Sequence, residues 1–182
     1  MQDNIKRGNI ICFTEEQVER ASEYAKGLAE NYGLKTLLLN QYHDVVGALG
    51  QIAVEEKLEE LHIDHISYSP YIPRQGGDNG DGKIFGETYD VKSKYIWEES
   101  YLDNIFGDCT ILENDKNDVV EKGIVNYIFV NIFLGQEPKA FIVGGISTSD
   151  FWNTARRNDK LKMTGYSIKG METKPFLDFI FH

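Results

Sequence analysis

Two aspartates and a lysine, Asp81, Asp90 and Lys92, fall in a stretch that reads as a β-hairpin: Asp81-Gly82-Lys83-Ile84-Phe85-Gly86-Glu87-Thr88-Tyr89-Asp90-Val91-Lys92. Gly86-Glu87 is read as the two-residue turn, with Gly supplying the positive φ that tight hairpins need. That turn pairs Phe85 with Thr88, Ile84 with Tyr89, Lys83 with Asp90 and Asp81 with Lys92. Side chains alternate along a strand, so Asp81, Lys83, Asp90 and Lys92 share one face and Ile84, Tyr89 and Val91 the other. Residues paired across strands sit about 5 Å apart at Cβ. Two carboxylates at that spacing can hold one hard cation. A lysine beside them can offset negative charge or act on a cation-bound water. The same residues also fit a solvated hairpin whose charges pair across the strands.

Asp81 followed at a distance by Asp90-Val91-Lys92 resembles the active-site hairpin of the PD-(D/E)xK nuclease superfamily, and the flanking residues Gly80, Gly86, Tyr89 and Ser93 look like its compact phage and bacterial members. No Pro precedes Asp81. Upstream, Val45 to Leu58 resembles the helix that precedes this hairpin in the family, where a Gly-rich start leads to a metal-facing Glu. Here that Glu is replaced by Gln51, which offers a neutral oxygen only. Glu55 lies one helical turn later on the same face and is expected to take over. Glu56 falls on the apolar stripe and is read as a carboxylate at the edge of the core.

The resemblance implies an α/β, restriction-endonuclease-like core with a central mixed sheet flanked by helices. It implies Mg²⁺ (or Mn²⁺) held by Asp81, Asp90, the Val91 carbonyl and Glu55, with Lys92 orienting or deprotonating a water. The implied reaction is hydrolysis of DNA phosphodiesters. An RNA-directed nuclease and a non-catalytic nucleic-acid-binding or subunit module on the same fold are the alternatives, the loss of the helix Glu at Gln51 favouring the second.

Asp78-Asn79-Gly80-Asp81-Gly82 also looks like the middle of an EF-hand loop. The first loop position would be Gly77 and the twelfth Thr88, so two essential ligands are missing, and strand-like residues follow where a helix should. The EF-hand is rejected, and Asp78 stands as runner-up to Asp81 for the first carboxylate.

The chain of 182 residues suits one domain, with 41% hydrophobic residues. Cys12 and Cys109 lie far apart without metal-ligand spacing, which fits a reducing cytoplasm and no disulfide framework. The polar start Met1-Gln2-Asp3-Asn4 does not read as a signal peptide, and no apolar run is long enough for a membrane. A homodimer is compatible with all of this. The net charge of −10 sits awkwardly with a nucleic-acid enzyme. It is uneven, however: Glu98 to Glu121 carries −7, and Ala155 to Lys174 carries +4. Lys94, Arg156, Arg157 and Lys160 are therefore the candidate nucleic-acid contacts, against the plainer reading of Arg156 to Lys162 as a solvated helix end.

Thr14 and Gln17 form a capping box that opens a helix ending near Gly33. A second helix is expected from about Val45 to Leu61, then strands at Ile66–Tyr68, in the hairpin, and near Cys109–Leu112. Tyr127–Phe133 and Ala140–Ser147 read as strands joined near Gly135-Gln136. Ser149 or Asp150 is expected to cap a helix through about Arg157, followed by a strand at Lys162–Ser167 and an aromatic tail. Tyr95 to Tyr101 is ambiguous, with Tyr95 and Trp97 read as core. The nuclease-like core is placed at residues 45–157, with residues 1–44 as an N-terminal helical extension.

Overall fold

The computed structural model describes residues 9–31, 38–68, 80–158 and 164–181. Lys160, Asp78 and the expected helix end near Gly33 lie outside the described residues. The chain is a mixed α/β protein. Its main sheet has six strands: β1 (Ile10–Cys12), β2 (His65–Ser67), β3 (Gly82–Ile84), β4 (Glu87–Ile96), β6 (Asn126–Phe133) and β7 (Lys139–Ser147). Their order is β1-β7-β6-β4-β3-β2. β4 runs parallel to β6 and the other pairs are antiparallel. A smaller sheet takes the order β5-β9-β8, from β5 (Asp108–Leu112), β8 (Arg156–Arg157) and β9 (Gly165–Lys169).

Two cores lie on opposite faces of the main sheet. On one face, α1 (Glu15–Asn31), α2 (Leu38–Glu60) and α5 (Phe176–Phe181) contribute to a core in which Leu49, Ala53 and Leu58 pack with Tyr89, Val91, Ile128 and Phe176. On the other, Ile111, Ile124 and Phe151 pack against Tyr127 and Phe129; around this core lie the small sheet, α3 (Asp115–Lys122) and α4 (Thr148–Thr154). β4 thus carries alternate side chains into each layer.

Local chemistry accounts for the helix limits. Thr14 and Gln17 make the expected capping box: the Thr14 N–H donates to Gln17 Oε1 at 2.8 Å, and the Gln17 N–H to Thr14 Oγ1 at 3.3 Å. α2 ends in a Schellman motif. His62 takes φ 55°, its N–H donates to Glu59 O at 3.0 Å, and the Ile63 N–H donates to Leu58 O at 2.9 Å. Ile63 and Leu58 are both buried, the apolar contact that accompanies this motif.

Several expectations are corrected. The hairpin pairs Gly82 with Tyr89, Lys83 with Thr88 and Ile84 with Glu87. The turn is therefore Phe85-Gly86, one residue earlier than expected, with φ of 50° and 86°; positive φ at both central residues is what the right-handed strand twist selects. The faces survive this shift, but the partners change, and Asp81 now stands opposite Asp90. The region read as a helical extension also contains a strand: β1 pairs with β7, and Ile11, Phe13 and Ala21 lie in the first core. The helix expected through Arg157 stops at Thr154, capped by Ser147, whose hydroxyl accepts from the Asp150 N–H at 3.1 Å. Arg156 and Arg157 instead pair with Ser167 and Tyr166 in the small sheet. The aromatic tail is helical, and the acidic segment contains α3.

Two substitutions check this architecture by urea unfolding. Phe13→Ala should cost about 3 kcal/mol, because a buried ring leaves a cavity; a neutral result would restore the N-terminus to an appended arm. Phe85→Asn should raise stability by about 0.5–1 kcal/mol, because Asn accepts positive φ more readily than Phe. No gain would place the turn elsewhere.

Candidate active site

Asp81 ends β3 in a way that fixes both its backbone and its carboxylate. Its N–H donates to Tyr89 O at 2.9 Å, and its own carbonyl accepts from the Tyr68 N–H at 2.9 Å. The next amide of β4, Val91 N–H, is met by the Asp81 side chain, Oδ2, at 2.6 Å. A carboxylate oxygen therefore stands where a ladder carbonyl would. Gly80 makes this possible. Its φ is 84°, and a Cβ there would lie 2.7 Å from Tyr89 O.

Opposite it, Asp90 projects into the second layer, where its carboxyl makes a hydrogen bond with that of Asp81. Lys92, on the same face of β4, reaches back to Asp90 Oδ2 at 2.9 Å and across to Asp115 Oδ2 on α3 at 3.2 Å. All three side chains are largely shielded from solvent. Burial holds the Asp90 carboxyl above the ordinary carboxylate range; Lys92 and the bond to Asp81 oppose this, and Asp115 adds to it. Such a carboxyl favours the folded state while protonated. Its destabilising effect therefore grows as pH rises from about 4 through the raised value. Burial alone would depress Lys92, but Asp90 and Asp115 outweigh it and hold the ammonium above its usual range. Lys92 thus carries its charge between two carboxyls.

Tyr127 lies beside Asp90 in the β4–β6 ladder. Its hydroxyl and the Trp152 indole nitrogen are buried and have no hydrogen-bond partner among the described residues. Burial pushes the Tyr127 hydroxyl up to about 12, with Asp90 and Asp115 adding to the effect and Trp152 and Lys92 opposing it.

Gln51 and Glu55 approach from the other face of the sheet. The Gln51 amide donates to Tyr68 O at 2.5 Å, Asp81 O at 3.1 Å and Glu55 Oε1 at 3.1 Å. It ties the ends of β2 and β3 to α2. Glu55 accepts from the Ser67 hydroxyl as well, and its carboxyl is raised by burial, with Gln51 and His65 opposing. The structure thus brings together Asp81, Asp90 and Lys92, adds Asp115, and sets Glu55 apart behind β4. Asp115 was missed because it sits in an acidic run that reads as a solvated segment. The signal available was Gly123, whose φ of 64° closes α3.

The two carboxylates Asp81 and Asp90 offer hard oxygen donors of the kind Mg²⁺ takes, and the Val91 carbonyl follows Asp90 in the chain. Among the described residues, no three His, Cys, Asp or Glu side chains converge to hold a metal ion by themselves. A cation here would keep water or substrate oxygens, as Mg²⁺ commonly does.

The candidate nucleic-acid contacts are scattered. Lys94 is exposed at the far end of the same face of β4. Arg156 and Arg157 are exposed on β8, with Arg156 Nη2 3.6 Å from Glu172 Oε1. Trp97, expected in the core, is 82% exposed, whereas Tyr95 does pack against the first core. Cys12 and Cys109 are both free thiols. Among the described residues no helix is long and apolar enough to cross a membrane.

The contacts of Gln51 predict the effect of restoring the family's acid. Gln51→Glu would set a carboxylate against the Tyr68 and Asp81 carbonyls and beside Glu55, costing about 1–3 kcal/mol in urea unfolding. Equal or higher stability, accompanied by tighter Mn²⁺ binding, would show that the position can serve as a ligand after all.

A scan against protein-family models, a search of curated proteins and a search of solved structures each returned no match.

Proposed function

We propose that this protein is a divalent-cation-dependent nuclease of the PD-(D/E)xK type, cutting DNA phosphodiesters at the β3–β4 hairpin. The observation that carries the reading is the apposition of the Asp81 and Asp90 carboxyls, with Lys92 two residues further along the same face. The elements around the hairpin are compatible with it: α2, the antiparallel strands β2, β3 and β4, then β5 of the smaller sheet, α3, and β6 parallel to β4.

Asp81, Asp90 and the Val91 carbonyl would hold the Mg²⁺ or Mn²⁺, which when bound acidifies a water and stabilises negative charge on phosphate. Asp81 is pre-positioned by the Val91 amide, so its carboxylate needs little reorganisation. Lys92, kept charged and held between Asp90 and Asp115, stabilises charge on the scissile phosphate or orients the attacking water. Tyr127 and Trp152 offer donors at the back of the site. Asp115 positions Lys92, and Glu55 and Gln51 support the hairpin from behind. The same ion-pair cluster favours the non-catalytic module as a second reading, because Lys92 already has partners in Asp90 and Asp115.

A nuclease assay on single-stranded DNA, duplex DNA and RNA with Mg²⁺ or Mn²⁺ tests the proposal. Cleavage should be abolished by chelator and by Lys92→Ala, and Asp115→Asn should impair it more than Glu55→Gln. In calorimetry, Asp90→Ala should lose the heat of Mn²⁺ binding while Lys92→Ala keeps it, since an ammonium is not a ligand. Absence of metal-dependent cleavage on all three substrates would leave the non-catalytic module as the better account.

A further inference from the structure

A cavity of about 360 Å³ opens beside the candidate site, within the size range of small-ligand pockets. Its lining includes Lys94, Trp97, Tyr101 and Asn131. Lys94 lies two residues beyond Lys92 on the same face of β4, about 7 Å along the strand. The cavity shares Lys94 with the face that carries Asp90 and Lys92. Its aromatic rings are turned outward: Trp97 is 82% exposed and Tyr101 55%. The Trp97 ring meets the Tyr95 ring in a T-shaped contact with centroids 4.8 Å apart. A tryptophan so exposed contributes little to either core, and exposed aromatic surface beside a polar site points to a ligand.

Charge decides which ligand. Glu98 and Asp108 also line the cavity, and Asp108 is neutralised by Lys169 at 2.6 Å. The cavity therefore lacks the surplus positive charge that duplex binding requires, and the chain as a whole carries −10. Affinity must come from stacking, and only an unpaired base exposes its faces to a side chain. Resting on the nuclease reading, we infer that this cavity seats unpaired nucleobases of a single strand whose backbone runs past Lys94 toward Lys92. Trp97 and Tyr101 provide the stacking platform, and Lys94 meets one phosphate.

Binding can be measured apart from cleavage, by fluorescence anisotropy of a labelled oligothymidylate and of a blunt duplex of equal length, both with chelator present. The single strand should bind more tightly than the duplex. Trp97→Ala should weaken it about tenfold, the loss of one stacked base, while Trp97→Phe stays within about threefold. The strand should also quench tryptophan emission in the wild type and leave it unchanged in Trp97→Phe, where Trp152 remains. Preference for the duplex, unchanged affinity in Trp97→Ala, or no binding of the strand by wild type would overturn the inference. Failure to cut any substrate would sink the nuclease reading alone, because these measurements need no cleavage.

Discussion

The register of one short hairpin governs the candidate site. Positive φ at Phe85 and Gly86 closes the turn there, and the closure sets Asp81 against Asp90. A turn one residue later would pair each aspartate with a lysine and yield a neutral, solvated ladder. The observed register does the reverse: it concentrates two carboxyls and leaves Lys92 to reach past Asp90 to Asp115. Concentrated like charge is unfavourable for folding by itself. It is sustained by the Val91 amide on Asp81 and by the ammonium held above its usual range. The strain of the arrangement and its chemical capacity have one origin.

β4 transmits this constraint because a packed layer lies against each of its faces. Its odd-numbered residues from Tyr89 to Ser93 face α2. Gly50 is needed there, since a Cβ would run into the Ser93 side chain. Asp90 and Lys92 face α3 and the second core. Asp81 joins the two layers: its carbonyl is gripped by Gln51 from one while its carboxylate serves the other. This explains how a Gln can stand where the resemblance expects an acid. The position works as a donor to backbone carbonyls, a task that a carboxylate cannot perform.

What the sequence disclosed, and what it hid, follows from the range of the interactions concerned. The capping box at Thr14, the long apolar strands β6 and β7 and the alternation of the hairpin are local patterns, and all were legible. The turn position was not, because Phe is an unusual residue at positive φ and tertiary pairing overrode that preference. β1 is three residues long, and only its partner β7 identifies it. α3 hid in a polar run whose N-terminus has no side-chain cap. Arg156-Arg157 continued a helical pattern that the small sheet interrupts. Asp115 and Trp97 were misjudged for the same reason: whether a charged or aromatic side chain is paired, buried or bare depends on residues distant in sequence.

The acidity of the chain, at first an argument against a nucleic-acid enzyme, becomes informative once the exposed aromatics are placed. Counterion release demands clustered Lys and Arg, and here the exposed Arg156 is already paired with Glu172 and Lys169 with Asp108. Proteins that hold single strands draw much of their affinity from rings on which bases stack, an interaction indifferent to net charge. An acidic surface then acts as a filter, because it repels the dense phosphate of a duplex more strongly than the sparser phosphate of a single strand. Phosphate repulsion and ring stacking would discriminate in the same direction, and Lys92 and Lys94 would need to attract no more than the one or two phosphates nearest the reacting bond.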